Sequence, residues 1–116
     1  MTIIVAVPDS PEGRHALSAA AAEAELLGTD LVAVNLGLRA LDTSGYDGIT
    51  VVDRSGPADR DPTEVVLEAI EENNASRLVI GVKRRSPVGK ALLGSVSQNL
   101  LLHSPVPVLA VKLPED

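Results

Sequence analysis

The chain has 116 residues, 45% of them hydrophobic, and a positive mean hydropathy, which fits one folded domain over residues 1–116 and excludes a disordered segment. It has no Cys, Phe or Trp and a single Tyr, so disulfides and thiolate metal sites are excluded and the core must be filled by Val, Leu, Ile and Ala. The formal net charge of −6 argues against broad nucleic-acid binding. No apolar run approaches the ~20 residues of a membrane span and no cleavable leader is visible, so a cytoplasmic location without membrane attachment is expected.

Residues 2–7 (TIIVAV) are apolar without polar alternation, the pattern of a central parallel strand buried on both faces. Pro8 stops the strand. Ser10 then stands as a helix cap with Pro11 at the first helical position, where a missing N–H costs nothing. Ala16, Leu17, Ala20, Ala24 and Leu27 recur at helical spacing, and Gly28 is a natural stop.

Residues 31–36 (LVAVNL) make the second strand. Residues 37–48 contain three glycines and two aspartates and show little periodicity, so they predict a loop with at most one helical turn near residues 38–41. Residues 49–52 predict a weak third strand, short or mobile, because a dozen residues barely span a parallel crossover. Asp61, Pro62 and Glu64 supply a cap, a first-position proline and an acidic third position for a second helix, with Val65, Val66, Ala69 and Ile70 as its buried stripe. A fourth strand covers residues 78–80. Ser95-Val96-Ser97-Gln98 reads as a capping box for a third helix ending at Ser104, and residues 105–113 (PVPVLAVKL) as a fifth strand. Alternating strands and helices place the chain in the α/β class with a mainly parallel sheet.

The basic residues are unevenly placed. Lys83, Arg84, Arg85 and Lys90 are four of the ten Lys and Arg residues, and no acidic residue lies between Gly81 and Gln98. In an open parallel sheet, ligands bind outside the carboxyl ends of the strands where strand order reverses. There Gly81 allows close backbone approach, and Gly94-Ser95 offers N–H groups at a helix start to an anion. A second reading has Gly81 relieve a strand end, with Ser95 only a cap and the cations a solvated face; both stay open at this stage. His15 and His103 are far apart without a nucleophile beside them and fit helix-surface or helix-terminal roles. The loop aspartates lack metal-site spacing, and Ser95 lacks the G-x-S-x-G pattern of a hydrolase nucleophile.

The chain resembles the universal stress protein family over nearly its full length, from IIVAV to LVIGVKRRSPVGKALLGSVSQNLLLHSPVPVLAVK, with GSVS and SPVPVLAVK as the specific part. The resemblance implies a Rossmann-like fold with a five-stranded parallel sheet of order 3-2-1-4-5, as in adenine nucleotide alpha hydrolase-like proteins; residues 37–48 depart from it, giving a shortened connection between strands 2 and 3 without the full helix usual in the family. It also implies a homodimer and, in one branch, ATP or a related adenine nucleotide at a G-x2-G-x9-G-[S/T] motif. That motif falls on Gly81, Arg84, Gly94 and Ser95, so its second glycine is replaced. The aspartate that follows the first strand in nucleotide-binding members is Pro8 here, with Asp9 one position late. Leu36, Ile80 and Val82 match positions lining the adenosine, Val96 and Ser97 match positions near the phosphates, and Lys83 and Arg84 stand as supporting cations.

The functional expectation is a universal stress protein-type binding and signalling domain without dedicated catalytic residues, sensing ATP (with Mg2+), AMP or another phosphate ligand, with at most slow ATP hydrolysis. The alternative is a nucleotide-free dimeric interaction module in the stress response. A homodimer is expected through residues 106–111 (VPVLAV), which would form a continuously apolar sheet edge containing Val106, Leu109 and Val111.

Overall fold

The computed structural model describes residues 1–53, 61–82 and 94–113. Five strands, β1 (Thr2–Val7), β2 (Asp30–Asn35), β3 (Ile49–Asp53), β4 (Arg77–Val82) and β5 (Val108–Lys112), form one sheet of order β3-β2-β1-β4-β5, and every neighbouring pair is parallel. Three helices, α1 (Pro11–Leu27), α2 (Pro62–Glu72) and α3 (Ser95–His103), cover its faces. The expected class and strand order are both observed.

Strand periodicity sorts the core into two layers. Ile3, Val5 and Val7 of β1, Leu31 and Ala33 of β2 and Val79 of β4 meet Ala16, Leu17, Ala20 and Ala24 of α1. The alternate residues Ile4, Ala6, Val32, Val34, Leu78 and Ile80 meet Val65, Val66, Ala69 and Ile70 of α2 and Leu100 of α3. The alanine stripe brings the α1 backbone close to the sheet, as small side chains permit. All four residues of the predicted α2 stripe are buried.

The helix ends follow their sequence signals in two cases of three. Ser10 Oγ accepts from Gly13 N at 3.1 Å and Pro11 is the first residue of α1, while Gly28 closes that helix in the left-handed conformation at φ 64°. Asp61 Oδ1 accepts from Thr63 N at 2.8 Å at the start of α2. At α3 the expected capping box is absent: the cap residue is Gly94, without a side-chain hydrogen bond, and Ser95 is already the first helical residue. The S-x-x-Q spacing is thus shifted one position from the register a capping box needs.

Other boundaries also differ. β2 begins and ends one residue earlier than expected, and β4 extends to Val82 along its pairing with β5. β5 begins at Val108 because Pro105 and Pro107 remain in the approach, where Pro107 O still accepts from Leu78 N at 2.9 Å.

The connection from β2 to β3 contains no helix, as its glycines and aspartates predicted. β3 is nevertheless paired with β2 along all five residues, from Leu31 with Ile49 to Asn35 with Asp53. It is one of the sheet's two outer strands, and three of its residues are exposed. Amides of residues 50–52 should therefore exchange at least about tenfold faster than those of residues 3–5 in β1, which is flanked on both sides. Equal protection in hydrogen exchange would contradict this ordering.

Candidate functional site

β1 and β4 lie side by side, yet the chain leaves β1 for α1 on one face and reaches α3 on the other after β4, so strand order reverses between them. This is the crevice position expected for a ligand in a sheet of this kind. Pro8 and Asp9 follow β1, Leu36 follows β2, and Ile80, Gly81 and Val82 end β4, so these predicted site residues gather at one edge of the sheet. Leu36, Ile80 and Val82 are packed into the protein, with Ile80 only 1% exposed, so they form a solid aliphatic floor.

The start of α3 supplies donors. With Gly94 as cap, the first printed turn bond is Gln98 N to Gly94 O at 2.9 Å. The N–H groups of Ser95, Val96 and Ser97 have no hydrogen-bond partner among the described residues. α1 and α2 both satisfy a first-turn donor with a side-chain oxygen, whereas at α3 no described residue caps the first-turn donors at the positive end of the dipole. α3 runs antiparallel to β4 as a crossover helix, which puts this terminus at the carboxyl end of the sheet. Lys83 and Arg84 lie outside the described residues.

Gly81 has a different structural role from the one its motif position implies. A Cβ added there would collide with the Glu12 carbonyl oxygen and carbon in the first turn of α1. The close backbone approach at Gly81 is therefore to the chain's own helix. Gly13 is similar, because a Cβ there would overlap the Pro8 carbonyl oxygen. These two glycines let α1 sit down on the ends of β1 and β4.

Sequence reading did not identify Asn35 and Arg39 as site residues. Asn35, at the end of β2, is buried; its Nδ2 donates to Arg39 O at 2.8 Å and to Asp53 Oδ1 at 2.9 Å, while its Oδ1 accepts from Gly37 N at 3.0 Å. All its hydrogen-bonding groups thus hold the 36–39 turn against β3. That turn carries Arg39 back over the β1–α1 junction, where its Nη2 donates to Asp9 Oδ2 at 2.8 Å. Arg14 approaches the other oxygen, Asp9 Oδ1, at 3.8 Å.

The hydrogen bond from Arg39, reinforced by its charge and more weakly by Arg14, holds the Asp9 carboxyl below the ordinary carboxylate range. Because the folded-state value is depressed, any stabilisation from this ionisation is present above the unfolded pKa and is lost as pH falls through the folded one. In an NMR titration of the Asp9 carboxyl carbon, Arg39→Ala should move the midpoint upward. An unchanged midpoint would show that the pair does not persist in solution.

Beside this bridge, on the α1 face, Val7, Leu17, Leu41 and Tyr46 floor a cavity of about 440 Å3 whose rim includes Asp9, Arg14 and Arg39. Asp42 is also on the rim, its carboxylate held low by hydrogen bonds from the Ser44 hydroxyl at 2.6 Å and the Ser44 N–H at 2.9 Å. Leu36, Ile80 and the α3 terminus belong to the opposite layer. Among the described residues no group of three or more His, Cys, Asp or Glu could hold a metal ion, and no helix is long and apolar enough to cross a membrane.

Comparison with known proteins agrees with this architecture. The sequence profile of the Universal stress protein family matches residues 46–112. A universal stress protein of Mycolicibacterium smegmatis is 57% identical over 56 residues, a match spanning 48% of this chain and 43% of that relative. The match thus accounts for less than half the length of the curated relative. The structure of a universal stress protein from Archaeoglobus fulgidus superposes with a TM-score of 0.69 at 27% identity, covering 97% of this chain and 98% of the other. A universal stress protein crystallised in complex with cAMP superposes with a TM-score of 0.71 at 21% identity, covering 98% of each chain.

Proposed function

The chain belongs to the universal stress protein family, and we propose that it is a binding and signalling domain that holds an adenine nucleotide or related phosphate ligand between β1, β4 and the start of α3. The observation that carries this reading is the α3 terminus at the sheet's switch point, where the N–H groups of Ser95, Val96 and Ser97 have no partner among the described residues. Phosphate oxygens there would accept from the backbone of Ser95, Val96 and Ser97, with Gly94 leaving room for their approach. Lys83 and Arg84 would add side-chain charge, Arg84 through a planar fork in place of the motif glycine. The cAMP held by a structural neighbour of the same fold supports an adenine nucleotide class. Mg2+ would enter with the phosphates of ATP.

The floor at Leu36, Ile80 and Val82 suits a base by shape, and Pro8 cannot supply a carboxylate to it. Asp9 has one, but Arg39 already engages it. Recognition should therefore rest on phosphate charge, with weak discrimination between adenine and guanine and a steep decline with salt. The engaged Asp9 also favours a second reading, a nucleotide-free dimeric interaction module.

Native mass spectrometry for a co-purified nucleotide, followed by calorimetry with ATP and GTP at low and high salt, separates the readings. Ser95→Pro removes one N–H at a helical position that tolerates proline and should weaken ATP binding by about tenfold. Arg84→Ala should weaken it similarly. If neither nucleotide binds at low salt, or if both variants bind as well as the parent, the sensor reading fails.

A further inference from the structure

We propose that the cavity on the α1 face is a second ligand site, sharing Pro8 and Asp9 with the edge of the nucleotide crevice and built for a small organic monocarboxylate with a branched or cyclic apolar body. Its origin is the helix-free connection from β2 to β3. A parallel crossover normally covers the sheet with a helix, but here the face beside α1 is covered by Leu41 and Tyr46, which pack on Leu17 and its neighbours without filling the space. The result is about 440 Å3 bounded by apolar side chains below and ionic groups above.

The charge balance sets the ligand class. Asp9 carries one negative charge and is approached by two guanidiniums, Arg39 at 2.8 Å and Arg14 at 3.8 Å. These three groups carry a net charge of about +1, while Asp42 elsewhere on the rim brings the four charged lining residues to about zero, so the attraction for an anion is local to Arg14 and Arg39. The Arg14 guanidinium makes no hydrogen bond among the described residues, so its five donors remain available at the rim. One carboxylate completes the cluster, and a guanidinium fork fits it in bidentate fashion. Asp42, on the same rim, disfavours a second negative charge on the ligand. An apolar body would lie over Leu17, Leu41 and the ring of Tyr46, whose hydroxyl also makes no hydrogen bond among the described residues.

Tyr46 is the only Tyr of a chain without Trp or Phe, so intrinsic fluorescence reports on its surroundings, which are this cavity and a neighbouring one beside Gly45, Asp47 and Ile49, and the arginine variants separate the two. Isovalerate, transparent at the excitation wavelength, should change Tyr46 emission saturably with a Kd of about 1 mM or tighter. Acetate and the neutral isovaleramide should each bind about tenfold more weakly, the first for want of apolar contact and the second for want of charge. Inorganic phosphate should bind no better than acetate.

Arg14→Ala and Arg39→Ala, both at exposed side chains, should each weaken isovalerate about tenfold while circular dichroism remains that of the parent. Ser95→Pro, at the nucleotide crevice, should leave isovalerate binding unchanged, and saturating ATP should not displace it. The site is refuted if emission does not saturate by about 20 mM, if isovaleramide or acetate matches isovalerate, if phosphate exceeds it, or if both arginine variants bind like the parent. ATP displacing isovalerate would also refute it as a separate site. Failure of ATP to bind anywhere overturns the nucleotide reading and leaves this one standing.

Discussion

Gly81→Ala should lower the stability of the ligand-free protein by about 3 kcal/mol, at the upper end of what overpacking costs. For a domain of this size that is a fall in melting temperature of roughly 10 °C or more. The added methyl would meet the carbonyl oxygen and carbon of Glu12, which are backbone atoms and cannot swing aside as a side chain would. Relief would require α1 to lift from β4. Gly13→Ala provides an internal check, because alanine ordinarily stabilises a helix by about 1 kcal/mol over glycine. Here it should destabilise, since its methyl would strike the Pro8 carbonyl. Thermal unfolding followed by circular dichroism measures both. A Gly81→Ala melting temperature within about 2 °C of the parent would mean that α1 is not seated on β4 as described.

This result bears on how much a motif reveals. Gly81 matches the first glycine of a nucleotide-binding pattern, and the pattern alone cannot say whether a glycine admits a ligand or a neighbouring helix. The structure shows the helix. Glycine at this position is thus required for the fold whatever the crevice binds, and the stronger indication of an anion site passes to Ser95, Val96 and Ser97, whose N–H groups have no partner among the described residues. Arg84, which replaces the motif's second glycine, lies outside the described residues.

The strands were legible because each has a local cause. Runs such as TIIVAV and LVAVN are apolar at both parities, and only a sheet covered on both faces buries them completely, as the 0–3% exposures of Ile3, Ile4, Val5, Ala6 and Val7 show. Helix starts were legible where a capping side chain and proline coincide, at Ser10-Pro11 and Asp61-Pro62. They were misread at Ser95, because a serine one residue after a glycine has the composition of a cap without its register. The α1-face cavity was not legible at all. Asp9 and Arg39 are thirty positions apart, and their bond depends on Asn35 directing the 36–39 turn back over β1. No periodicity encodes such a pairing.

Leu109→Lys should convert a homodimer into a monomer. β5 is an outer strand: β4 takes one of its edges, and no described element takes the other. The two prolines expected to blunt that edge, Pro105 and Pro107, precede the strand, so Val108–Lys112 presents unpaired backbone groups along its length. Unpaired edges of this sort attract a second strand unless charge or proline protects them. Leu109 is 41% exposed and Ala110 is exposed beside it, so apolar side chains accompany the open backbone. Pairing between two copies of β5 about a two-fold axis would cover both, in accord with the homodimer implied by family resemblance. Leu109 pairs with Val79, which places its side chain on the α1 face, where a lysine would bring two ammonium groups towards the axis of the assembly. Sedimentation at micromolar concentration should give a dimer mass for the parent and a monomer mass for the variant, with the monomer keeping its helical circular dichroism. A parent that sediments as a monomer, or a variant that remains dimeric, would remove β5 as the interface.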